Sequence, residues 1–146
     1  MYKHILLPVD GSELSEYAAN EGVRLAHTLG SEITFIYVVD ISLVTIPDSE
    51  SAISNIDLIE RNFREQGRRA LDAMKQNASA AGVEAEALLA EGVVADEIEK
   101  AATKVDADLI VIGTHGRRGL NRLLLGSVAD AVARCAKCPV LLIRPV

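Results

Sequence analysis

Short apolar runs alternate with stretches of helical periodicity along the whole chain, and this alternation constrains the fold more than any other feature. Lys3 to Val9 reads as a buried strand, after which Gly11-Ser12 opens a helix with Ser12 as N-cap and Glu13 and Glu16 in its first turn. That helix continues through Leu14, Ala18, Leu25 and Leu29 and stops at Gly30. Glu32 to Val39 is a second β-rich run, followed by a loop holding Pro47 and several small polar residues. Ile56, Ile59, Phe63, Ala70, Met74 and Ala78 stand near helical spacing and predict a long helix from about Ser51 to Ala81, closed by Gly82. Val83 to Leu88 alternates and predicts a strand exposed on one side. Val94 to Lys104 then predicts a helix, Ala107 to Ile112 a core strand, Ser127 to Ala136 a helix and Pro139 to Arg144 the last strand.

Such alternation predicts an α/β fold: a mostly parallel sheet covered by helices on both faces, with right-handed crossovers. In open sheets of this kind, ligands bind beyond the carboxyl ends of the strands, where the strand order reverses. The chain's 146 residues suit a single domain spanning 1–146 and can bury a core without metal or disulfide support. No apolar run approaches the roughly 20 residues that a membrane span needs. Met1-Tyr2-Lys3-His4 leads straight into an apolar strand rather than into a signal peptide's long apolar segment, so the expectation is a cytoplasmic protein without a membrane partner. The formal net charge of -6 argues against general nucleic-acid binding, which draws on a basic face. Arginine is nevertheless concentrated at Arg117, Arg118 and Arg122, which read either as a solvated helix and loop edge or, as a group, as charge suited to offset anion repulsion in an acidic chain.

Those arginines adjoin the stretch with the strongest chemical signal. The apolar run Ala107 to Ile112 ends on Gly113-Thr114-His115-Gly116, and Gly126-Ser127 opens the next helix. Glycine lets main chain approach an anion with no side chain between them, and a helix start presents unpaired N–H groups at the positive end of its dipole. A phosphate fits that arrangement, with Ser127 giving hydroxyl and N–H and Val128 a further N–H. Asp10, at the end of the first strand, is suited to accept hydrogen bonds from ribose or to approach a phosphate-bound metal; the alternative is that it merely caps the following helix. His115 has no evident catalytic partner, and a lone histidine of this kind more often packs or hydrogen-bonds.

Other chemistries find less support. The chain has no G-x4-G-K-[ST], so no lysine reaches between terminal phosphates, and the glycine loop follows the fourth strand rather than the first, unlike a dinucleotide fold. No Ser/His/Asp set or paired general acid and base converges on the loop, which predicts binding with slow or negligible hydrolysis and no catalytic residue. Cys135-Ala136-Lys137-Cys138 lies where a helix ends, not at the helix N-terminus that lowers a redox thiol's pKa. His4, His27 and His115 show no spacing that completes a zinc site, so these thiols read as reduced cysteines in a packed junction and no metal ligand is expected.

The spacing G-x2-G-x9-G-S from Gly113 to Ser127 closely resembles the ATP-binding signature of the universal stress protein family. The resemblance extends to Ile5-Leu6-Leu7-Pro8-Val9-Asp10-Gly11-Ser12, to Ile36-Tyr37-Val38-Val39-Asp40, and to Cys138-Pro139-Val140-Leu141-Leu142-Ile143-Arg144. It implies a Rossmann-like open sheet of five parallel strands in the order 3-2-1-4-5, with the turns after the first and fourth strands bordering one crevice. It also implies a cofactor-binding set of Pro8, Val9, Asp10, Val38, Gly113, Thr114, His115, Gly116, Arg117, Gly126, Ser127 and Val128. Val38 matches the position whose backbone amide and carbonyl read the adenine edge. The implied cofactor is ATP, with Mg2+ carried by its phosphates, and the implied role is a nucleotide-dependent regulatory or stress-response module. Bound ATP is expected to order Gly116 to Leu125 and the segment around Ser42 to Glu50.

Alternatives are an adenylating or nucleotide-hydrolysing enzyme of the related α/β superfamily, a sensor of AMP or cyclic AMP, and a ligand-free scaffold. Against the first, Pro8-Val9-Asp10-Gly11-Ser12 replaces the serine- and glycine-rich loop such synthetases carry after the first strand. Against the last, the glycine signature is present. Protein partners are not legible, with one exception. Pro139 to Arg144 is almost continuously apolar and, in the family's order, lies at a sheet edge, which predicts a homodimer through that strand paired antiparallel across a two-fold axis, with Pro145 limiting the pairing.

Overall fold

The computed structural model describes residues 1–43, 50–116 and 124–145. Among the described residues five strands and four helices follow one another as β1 His4–Val9, α1 Glu13–Leu29, β2 Glu32–Asp40, α2 Glu50–Ala80, β3 Ala85–Gly92, α3 Val94–Lys104, β4 Leu109–Gly113, α4 Ser127–Cys135 and β5 Val140–Ile143, with a short 3-10 turn at Ile41–Leu43. All strand pairings are parallel and the order is β3-β2-β1-β4-β5. The expected α/β architecture is therefore the observed one, and the order reverses between β1 and β4.

Local chemistry sets the element ends. The Ser12 hydroxyl accepts from the Ser15 N–H at 3.2 Å and caps α1. Gly30 ends that helix in the left-handed conformation, φ 69°, which costs glycine little. At the far end of the sheet the Asp108 carboxylate accepts the Lys3 and His4 backbone N–H groups at 2.8 and 3.0 Å, tying the start of β1 to the approach to β4. Partial burial opposes ionisation of Asp108, but these N–H donors outweigh it and hold its pKa below the usual carboxylate value.

Alternation along the strands divides the core into two layers. Ile5, Leu7, Val9, Ile33, Phe35 and Val111 pack with Val23 and Ala26 of α1 and with Leu71, Met74 and Ala78 of α2. Leu6, Ile36, Ile110 and Ile112 pack with Ile98 and Ala101 of α3 and Val132 of α4. Helices thus cover both faces, α1 and α2 on one and α3 and α4 on the other. Close packing of α2 turns on Gly67, where a Cβ would lie 2.7 Å from both Leu89 Cδ1 and Tyr37 Cδ1. Ile59 shares the spacing of this helix's buried stripe but is exposed.

The expected third strand differs from the observed one. Val83 to Leu88 was expected to alternate with one open side; β3 instead runs from Ala85 to Gly92 and both its sides are partly covered. Ala85, Ala87 and Leu89 face the α1/α2 layer, whereas Leu88 and Ala90 face the α3/α4 layer. Leu88-Leu89-Ala90 is apolar without a break for that reason, and alternation fails as a guide where a strand is covered twice.

Candidate functional site

The topology itself opens a cleft. Neighbouring strands β1 and β4 run parallel, with Ile5 beside Leu109 and Leu6 beside Ile110, yet α1 departs to one face of the sheet and α4 to the other. Their connections therefore diverge beyond the carboxyl ends of the strands. A cavity of about 220 Å³ occupies the gap. Pro8, Val9, Asp10, Val38, Gly113, Thr114, His115, Gly116, Gly126, Ser127 and Val128 all line it, so these sequence-selected residues are brought together from three strands, the glycine loop and a helix start. Arg117, with Arg118 and Arg122, lies outside the described residues, as do most of the two segments expected to order with ATP.

Asp10 joins the two connections. One carboxylate oxygen accepts the Ser12 N–H at 2.9 Å, while the Asp10 N–H donates to the Ser15 hydroxyl at 3.1 Å. The other carboxylate oxygen faces the glycine loop, where a Cβ on Gly116 would stand 2.5 Å from it. Asp10 thus shapes the turn before α1, although the N-cap itself is Ser12. Gly116 takes no positive φ; what it supplies is the room for that carboxylate.

Gly126 is likewise explained by a close approach rather than by positive φ. Its N–H donates to the Thr114 carbonyl at 2.7 Å, and a Cβ there would lie 2.8 Å from the same oxygen. This contact folds the chain back so that α4 begins beside the end of β4, with the start of the helix on the cleft. Gly126 offers no side-chain cap, so Ser127, Val128 and Ala129 bring a helix N-terminus to the cleft wall. Thr114 and His115 are both buried, and Thr114 Oγ1 lies 3.0 Å from His115 Nδ1. This hydrogen bond stiffens the loop between the two glycines.

Several lining residues escaped the sequence analysis as site residues. Asp40 ends β2 as Asp10 follows β1, and the same positional rule would have found it. Tyr37 and Phe63 were visible only as core spacing; Val94 and Ile98, one turn apart on α3, form an apolar wall near Val38. Beside Phe63, Arg64 donates to Glu91 and also pairs with Glu60, clamping α2 to the end of β3. The hydrogen bond from Arg64 lowers the pKa of Glu91, and its reciprocal raises that of Arg64.

Cys135 ends α4 in solvent, whereas Cys138 is half-buried and burial raises its thiol pKa. Neither lies on the cleft. Among the described residues no group of three or more His, Cys, Asp or Glu is arranged to hold a metal ion, and no helix is long and apolar enough to cross a membrane.

A parallel sheet that reverses direction of winding at β1 and β4, with a glycine loop and a bare helix start over the reversal, defines an open, doubly wound α/β domain. Residues 1–144 match the universal stress protein family, and the chain belongs to that family. It is 43% identical over 145 residues to Universal stress protein MJ0531 of Methanocaldococcus jannaschii, covering 99% of this chain and 83% of that protein. The fold matches that of universal stress protein UspA from Lactobacillus plantarum with a TM-score of 0.86 at 26% identity, covering 98% of each chain. A universal stress protein solved in complex with cAMP matches with a TM-score of 0.68 at 25% identity, covering 98% of this chain and 97% of the other.

Proposed function

We propose that this protein is an ATP-binding regulatory module whose cleft holds the nucleotide without turning it over at enzymatic rates. The observation that carries the proposal is the coincidence of Asp10, the Gly113–Gly116 loop and the start of α4 on one cavity at the reversal of strand order. Backbone N–H groups of Ser127 and Val128, with the Ser127 hydroxyl, suit phosphate oxygens. Asp10 suits the ribose hydroxyls or a phosphate-bound Mg2+, which arrives with the nucleotide because the described side chains offer no cage of their own. Val38 presents main chain to the adenine edge, and Val94 and Ile98 provide apolar surface for the base. Arg117, which lies outside the described residues, enters this reading by its place in the sequence motif alone.

The cAMP complex of a relative supports an adenine nucleotide as the ligand class. Isothermal titration of the purified protein with ATP, AMP and cyclic AMP, together with mass spectrometry of co-purifying nucleotide, tests the proposal. ATP is expected to bind most tightly; the absence of heat with all three refutes the reading, and preference for cyclic AMP replaces the regulator with a cyclic-nucleotide sensor. Release of ADP, AMP or pyrophosphate at ordinary enzymatic rates would favour the catalytic alternative.

The same reading includes a homodimer through β5. This strand lies at the sheet edge, Leu141 is exposed, and alternate residues Val140 and Leu142 direct N–H and C=O away from β4. A second copy of the strand across a two-fold axis satisfies those groups with one self-complementary contact.

A further inference from the structure

The first turn of α1 departs from an ordinary helix start. In a reciprocal cap, the side chain at the third helical position reaches back to the backbone N–H of the N-cap residue. Ser12 is the N-cap here, and its hydroxyl accepts the Ser15 N–H at 3.2 Å as that arrangement requires. The return contact is rerouted. The Ser12 N–H goes to Asp10 Oδ1 at 2.9 Å, and the Ser15 hydroxyl reaches past Ser12 to accept the Asp10 N–H at 3.1 Å. The same hydroxyl donates to the Ser12 carbonyl at 3.2 Å. Capping alone does not require Ser15 to hold a residue two positions before the N-cap.

Asp10 is thereby held from both ends. Its carboxylate is tied to Ser12, its N–H is tied to Ser15, and those two serines are tied to each other. Ser15 is buried and lines the cavity. One turn further along α1, Ala18 packs against the end of β4, where a Cβ on Gly113 would lie 3.3 Å from Ala18 Cβ. The helix that carries Ser15 is therefore seated against the start of the glycine loop, and the Asp10 carboxylate is held toward Gly116. Alanine at position 15 keeps the backbone cap but removes the acceptor that the Asp10 N–H uses, and the turn must shift to replace it.

We propose that Ser15 is a positioning residue of the nucleotide site, acting through Asp10 by fixing the carboxylate where the ribose or a phosphate-bound metal meets it. This inference rests on the nucleotide reading given above. It makes Asp10, Ser12 and Ser15 one functional unit, in which the group that starts α1 also sets the geometry of binding.

Isothermal titration of the parent protein, Ser15→Ala, Asp10→Ala and the double variant with ATP in the presence of Mg2+ tests it, with circular dichroism checking that each variant folds. Ser15→Ala is expected to weaken ATP about fivefold, the worth of one hydrogen bond, and Asp10→Ala to weaken it further. In the Asp10→Ala background the same serine change should alter the affinity by less than about twofold, because no carboxylate is left to position. Ser15→Cys, which fills the same space with a weaker acceptor, should show the same dependence on Asp10 with a smaller loss. Equal costs at position 15 in both backgrounds mean direct contact with the ligand or a general loosening of the fold, and overturn the positioning role. Parent-like affinity in Ser15→Ala or in Asp10→Ala also overturns it while leaving ATP binding intact. A parent protein that does not bind ATP overturns the nucleotide reading and the positioning role with it.

Discussion

Replacing Gly116 with alanine tests whether the glycine loop is shaped by Asp10. The new Cβ would lie 2.5 Å from the Asp10 carboxylate, about 0.9 Å inside the 3.4 Å at which ordinary contact begins. The carboxylate must turn aside, and its 2.9 Å hydrogen bond from the Ser12 N–H is lost with that movement. A partly buried hydrogen bond to a charged acceptor contributes about 1–2 kcal/mol, or about 3–6 °C in Tm for a domain of this size. In an Asp10→Ala background the obstruction is gone. Gly116 does not need positive φ, so alanine there should then be nearly neutral or slightly stabilising. Urea unfolding of the parent, both single variants and the double variant should therefore give a coupling of about 1–2 kcal/mol. Costs that add to within about 0.3 kcal/mol would refute the argument, because the two residues would then act independently.

Three further outcomes follow from the geometry. Asp108 has a lowered pKa in the folded state, so its contribution is present above the unfolded carboxylate pKa and is lost as pH falls through the folded one; Asp108→Asn should flatten the acid limb of stability against pH, and an unchanged limb would contradict the assigned hydrogen bonds. Iodoacetamide should label exposed Cys135 before Cys138, whose thiol burial pushes up, and peptide mass spectrometry showing equal rates would count against that difference. Leu141→Asp places like charges near the proposed two-fold axis and should yield monomers by light scattering, whereas a persistent dimer excludes this interface; Leu141→Pro is a poor substitute because residue 141 directs its N–H toward β4.

Much of the fold is legible in the sequence because its signals are local. Ser12 before Glu13 and Gly30 after Leu29 mark the ends of α1, and each is explained by a cap within a few residues. The third strand is less legible because the partners that cover both its sides come from α2 and α3, distant in sequence. Within the cleft, the glycine loop and Asp10 stand out by spacing and by position at strand ends. Phe63, Val94 and Ile98 look like ordinary core periodicity until the sheet brings α2 and α3 to one edge. The sequence also leaves open why Gly116 and Gly126 are glycines. Contact with Asp10 and with the Thr114 carbonyl supplies a reason that no single-chain pattern contains.

The central position of β1 has a consequence for the order in which the molecule is made. β1, β2 and β3 pair among themselves within the first 92 residues, but the other edge of β1 waits for β4, which begins at Leu109. During synthesis the oldest strand thus carries an open flank until the final third of the chain emerges. The cleft has no α4 wall before that docking step, so it is complete only once the C-terminal part of the chain has joined the three-stranded unit.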